Sequence, residues 1–119
     1  MHDQELVGPY KLVAVDVREQ MVLCRALEGG NCAGDNLPEP TIFAAGGDDR
    51  FVVLARHPTA VGERMNRGVA EFYYLERSAS ETDPRFRAEV LGPFDRDQFE
   101  AEKRRLGLPA FSVVFEDLE

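Results

Sequence analysis

The amino-acid sequence predicts an α+β fold: a mostly antiparallel sheet, one C-terminal helix and a second, short helix. Three observations carry this reading. Short runs rich in Val, Leu and Phe recur between polar, glycine-containing turns, as in Lys11–Val17, Met21–Leu27 and Phe51–Arg56. Asp95–Leu106 presents a helix start, an apolar stripe and a stop in the right order. The 119 residues, 44% hydrophobic and 30% charged, suffice for a single domain, 1–119, to bury its own core.

Lys11–Val17 and Met21–Leu27 are separated only by Arg18, Glu19 and Gln20, which predicts a β-hairpin. Val13, Val15 and Val17 alternate onto one face, while Lys11, Ala14 and Asp16 make the other more tolerant of water. Glu28–Pro40 holds three glycines, two asparagines and two prolines and reads as a loop. Thr41–Ala45 is a short strand, and the turn "GGDDR" leads into Phe51–Arg56. That strand is apolar on both alternating sets, so it is expected centrally in the sheet with both faces covered.

Thr59–Arg67 is the short helix, opened by Pro58 and Thr59 and ended by Gly68. Gly62 weakens its middle by about 1 kcal/mol relative to alanine. Val69–Arg77 returns as a strand, "SASETDP" breaks it, and Phe86, Ala88 and Val90 alternate with Arg85, Arg87 and Glu89 in another. Asp95 caps the C-terminal helix, and Gln98 completes a variant capping box. Phe99 and Leu106 share its stripe, and Gly107 and Pro109 stop it. Phe111, Val113 and Phe115 alternate in a last strand, with Glu116–Glu119 as a frayed tail. From Phe51 the order is β-α-β-β-α-β, so residues 51–116 are expected to be ferredoxin-like.

The net charge of −8 argues against nucleic acid or an anionic membrane as partner. The apolar runs are only strand length. Early acids and no apolar signal region lead to a cytoplasmic expectation, with Cys24 and Cys32 kept as thiols. "RGVAEFYY", Arg67–Tyr74, matches part of an RNA-binding strand motif, but Val69 and Glu71 stand where its stacking aromatics belong. Gly29 and Gly34 have phosphate-loop spacing, yet Asp35 stands where the lysine should be. His2, Cys24, Cys32 and His57 lack metal-ligand spacing, so neither metal nor cofactor is expected.

Two features point towards function. "RHPTAVGERMNRG" concentrates Arg56, His57, Arg64 and Arg67, whose guanidinium forks suit a small carboxylate or phosphate. Phe72, Tyr73 and Tyr74 are consecutive, so alternation cannot bury all three on one face. Tyr73 and Tyr74 are therefore candidates for a homodimer interface. The chain reads as a noncatalytic interaction or small-anion-binding domain. The enzyme alternative makes Cys32 a nucleophile and His57 its base, with the arginines holding an anionic substrate. "FVVLARHP" followed by "FYYL" resembles the opening βαβ of YCII-related small dimeric proteins over under a third of the chain, without the histidine expected before the second strand.

Overall fold

Two antiparallel sheets and one α-helix form the structure, a computed structural model that describes residues 1–33, 36–59 and 64–119. Strands β1 (His2–Val7), β2 (Tyr10–Ala14) and β3 (Val22–Arg25) make the smaller sheet in that order. The larger contains β4 (Ile42–Gly47), β5 (Phe51–Arg56), β6 (Glu71–Glu76), β7 (Val90–Phe94) and β8 (Val113–Val114). Its order is β7-β6-β5-β4-β8. Helix α1, Arg96–Leu106, follows β7.

The β2–β3 hairpin is present, closed through a 3-10 turn at Arg18–Gln20. Its facing differs from expectation. Tyr10, Leu12, Val13 and Ala14 are all buried, whereas Val15 and Val17 are 70% and 49% exposed. The strand ends at Ala14, so the period of two does not extend to the later valines. Sequence reading missed β1 altogether. "HDQELV" is a polar edge strand whose partner is β2, and it buries little.

β5 lies at the centre of the larger sheet, and Phe51–Ala55 are all at most 3% exposed. Register then assigns the faces. Phe72 and Tyr74 share one side with Val53 and Ala55, and Phe72 stacks on Phe99 of α1 at 5.2 Å. Tyr73 and Leu75 point to the opposite side with Leu54 and Val52. Gly46 and Gly47, read from sequence as turn residues, end β4 and permit close approach on both sides. A Cβ on Gly46 would meet the Ala110 carbonyl oxygen at 2.1 Å, and one on Gly47 the Val7 side chain at 2.5 Å. Tyr10, Leu12 and Met21 of the small-sheet region join Leu54, Leu75 and Phe99 in one apolar cluster.

The ferredoxin-like expectation for residues 51–116 does not match this topology. A βαβ unit needs parallel strands, but β5 and β6 are hydrogen-bonded antiparallel neighbours. The short helix expected at Thr59–Arg67 lies partly outside the described residues, at 60–63. Thr59 and Arg64–Arg67 are not helical. The strand expected at 85–90 begins only at Val90, because the Phe86 carbonyl accepts from Arg25 rather than from a ladder.

α1 is built as its sequence directs. The Asp95 carboxylate accepts from Gln98 N at 2.8 Å, while Asp95 N donates to Gln98 Oε1 at 2.9 Å. Gly107 closes the helix at φ +70°. Beyond it, the expected frayed tail is packed. Leu118 is 1% exposed, and Asp117 pairs with Arg18.

Cys24 and Cys32 are joined in a disulfide, which corrects the expectation of two thiols. After β3 the chain doubles back, so that Ala26 bridges to Cys32 and Ala33 N donates to the Arg25 carbonyl. That local pairing brings the two Cα atoms to 5.3 Å, within disulfide reach. Among the described residues, no helix is long and apolar enough to cross a membrane.

Candidate functional site

The basic stretch divides into two halves with different employment. Arg56 ends β5 directly opposite Glu71, the first residue of β6. Its Nε and Nη2 donate to Glu71 Oε1 at 3.1 and 2.9 Å. Its Nη1 donates to the carbonyls of Glu39 and Pro40 at 3.0 and 3.2 Å. Arg56 therefore ties two strands to the incoming loop.

His57 is buried, with its ring stacked on Phe43 at 4.2 Å. Nδ1 lies 2.7 Å from the Val69 carbonyl, which can only accept, so Nδ1 carries the proton and donates. Nε2 is buried without a hydrogen-bond partner among the described residues. The backbone of His57 pairs twice with Thr41 at 2.9 Å. Thr41 Oγ1 in turn donates to the Glu19 carbonyl and meets Thr59 Oγ1 at 2.7 Å. These bonds join the end of β5 to the 3-10 turn.

Arg64 and Arg67 come together. Both line a cavity of 490 Å³, with Val17, Glu19 and Met65 on its other walls. Arg67 donates to the carbonyls of Asp117 and Glu119 at 2.8 and 2.9 Å. Arg64 is exposed, and among the described residues its guanidinium has neither hydrogen bond nor ion pair. Beside them Arg18 grips the Asp117 carboxylate through Nε at 2.6 Å and Nη2 at 3.0 Å. The hydrogen bond from Arg18 holds the Asp117 carboxyl below its usual range.

Of the four ligand candidates, the fold brings Arg64 and Arg67 to one cavity and employs Arg56 and His57 in the scaffold. Val17 and Glu19 were missed as lining residues, because spacing carries no signal between the hairpin turn and a segment some forty-five residues later. Tyr73 and Tyr74, the interface candidates, are 9% and 4% exposed within the single chain. Within the single chain both sides of β6 are covered. Tyr74 contacts Phe51 and Phe94 on the helix side.

Cys32 follows β3, and His57 follows β5 in the other sheet. The disulfide leaves Cys32 no thiolate, the species a nucleophile requires. Among the described residues, no group of three or more His, Cys, Asp or Glu side chains is placed to hold a metal ion. Asp48 and Asp95 have structural employment. Asp48 Oδ1 accepts from the amides of Arg50 and Phe51, while Asp95 caps α1.

No family model matches the chain, and no curated protein or solved structure shows detectable similarity to it. The resemblance to YCII-related proteins thus gains no support, and its βαβ element is replaced by the antiparallel β5–β6 pair.

Proposed function

We propose that this chain is a noncatalytic small-anion-binding domain, with Arg64 as the principal ligand contact and Arg67 beside it. One observation carries the reading: two arginines line a single 490 Å³ cavity, and Arg64 has no partner among the described residues. A guanidinium fork offers two parallel donors to a carboxylate or phosphate. Glu19 on the same wall opposes multiple negative charge, so a singly charged carboxylate is favoured over a phosphate dianion.

NMR titration with acetate and with inorganic phosphate tests this directly. Acetate is expected to shift the amides of Val17, Glu19, Met65 and Arg67, with binding weakened by salt and abolished in Arg64→Ala. Shifts confined to other regions, or none at millimolar ligand, would leave the stretch a charged connection. The Cys24–Cys32 disulfide also supports an oxidising compartment over the cytosol expected from sequence. Two alkylatable thiols in protein trapped inside its native cells would reverse that assignment.

A further inference from the structure

A second cavity, of 410 Å³, shares no described lining residue with the first. It opens between the end of α1, at Arg105 and Leu106, strands β5 and β6, and the segment 86–91. Phe51 and Tyr74 contribute buried aromatic rings to its lining, set edge to face with centroids 6.1 Å apart. Phe86, Leu91 and Leu106 add further apolar surface. Leu91 is 41% exposed, an uncovered aliphatic side chain on a cavity already lined with rings. The Phe86 ring is held from elsewhere by the Arg25 guanidinium, 5.1 Å from its centroid.

The polar lining is unusual for so acidic a chain. Arg77, Arg87 and Arg105 face Glu76 and Glu89, in a protein of net charge −8. Their commitments separate them. Arg77 is engaged by Glu81 at 2.8 Å and by the Asp48 carbonyl at 2.9 Å, and Glu76 lies 3.6 Å from Arg50. Arg105 is steadied by Glu102 through Nε at 2.8 Å and remains largely exposed. Arg87 is exposed and has no ion pair among the described residues. Burial pushes the Tyr74 hydroxyl above its usual range, so it stays a neutral donor at physiological pH.

We propose that this cavity binds a small aromatic monocarboxylate, its ring against Phe86, Leu91 and Leu106 and its carboxylate taken by Arg87 and Arg105. The volume falls in the range of small-molecule sites, roughly 300–1,000 Å³. A planar ring gains from edge-to-face or offset contact with the half-buried Phe86 ring. Two exposed arginines supply the forks that match a carboxylate. Glu89 sets the charge limit, because a second negative charge on the ligand would meet it. An aliphatic acid would leave the aromatic surface unused, and a neutral aromatic would leave the arginines unused.

Calorimetry and NMR titration of the full chain with benzoate, acetate and benzyl alcohol test the proposal. Benzoate is expected to shift Arg87, Leu91, Arg105 and Leu106, and to bind about tenfold or more tightly than either other probe. Arg87→Glu should weaken benzoate about tenfold or more. Leu91→Trp should fill the mouth and abolish binding. Both positions are exposed, so an unchanged denaturation midpoint will show that the fold survives. Benzyl alcohol binding as tightly as benzoate would overturn the carboxylate assignment. Benzoate shifts confined to Arg64–Arg67 would overturn this site while supporting the first cavity. Unaltered benzoate binding in Leu91→Trp, or no shifts at millimolar benzoate, would also overturn it.

Discussion

The connection between β6 and β7 and the connection between β5 and β6 both involve arginines, and the two use them in opposite ways. In the first, Arg25 reaches from β3 to donate to the carbonyls of Glu81, Asp83 and Phe86 at 2.6, 3.1 and 2.7 Å. It is fully buried. Arg77 pairs with the buried Glu81 in the same segment. A guanidinium removed from water must find partners for its donors, and here it finds them in carbonyls of a segment between β6 and β7 that belongs to neither sheet. In the second connection Arg64 remains in water and has no described partner. Water can satisfy it until a ligand replaces that water. Satisfied burial thus marks Arg25 as architecture, while exposure beside a cavity leaves Arg64 available to the proposed anion.

Substitutions should separate the two uses by size of effect. Arg25→Met is the most damaging, because the Glu81, Asp83 and Phe86 carbonyls each lose a hydrogen bond from the guanidinium and a buried, unsatisfied polar group costs about 1–3 kcal/mol. A loss of about 3 kcal/mol or more in urea unfolding is expected, with backbone amides of 81–89 losing exchange protection first. A loss under 1 kcal/mol would mean that the segment stands without Arg25.

Next in size is the disulfide that anchors the chain beside Arg25. The closed loop is short, Cys24 to Cys32, so replacing both cysteines with Ser should cost about 2–3 kcal/mol. Adding reductant to the unsubstituted protein should reproduce that loss, and the double variant should be insensitive to reductant. Equal stability with and without reductant would remove the disulfide from the scaffold.

Arg56 tests the boundary between the two uses, since it sits in the basic stretch yet has its donors engaged. Arg56→Ala is expected to cost about 1–2 kcal/mol, because the half-buried Glu71 carboxylate and the loop carbonyls lose charged donors. Acetate affinity should hardly change. A large loss of acetate binding with unchanged stability would return Arg56 to the ligand site.

Arg64→Ala has the smallest structural effect expected. Its denaturation midpoint should match the unsubstituted protein, while acetate-induced shifts disappear. A lowered midpoint would show that Arg64 is part of the scaffold, and the contrast with Arg25 would fail.

Local chemistry was legible wherever a few adjacent residues decide it. Asp95, Gln98 and Gly107 specify where α1 starts and stops, because capping bonds reach no further than a turn. Phe51–Ala55 announce a central strand through unbroken apolarity, and their burial follows. Alternation also required that Phe72, Tyr73 and Tyr74 divide between two faces. What lay on each side was not legible. α1 supplies the cover on the side of Phe72 and Tyr74, and Tyr73 points away from it. The function of the basic stretch was similarly underdetermined, because the Arg56 partner Glu71 follows from cross-strand register rather than sequence spacing.

By itself, then, the sequence determined the mostly antiparallel α+β character, the central strand and the capped helix, all consequences of periodicity and short-range hydrogen bonding. Only the tertiary structure decided strand order, the Cys24–Cys32 bond, the packing of the tail and which arginines remain open. Pairings such as Arg25 with the Glu81 carbonyl, separated by 56 positions, leave no periodic trace in the chain. They arise when burial compels distant donors and acceptors to find one another, and that selection also leaves Arg64 and Arg87 facing water.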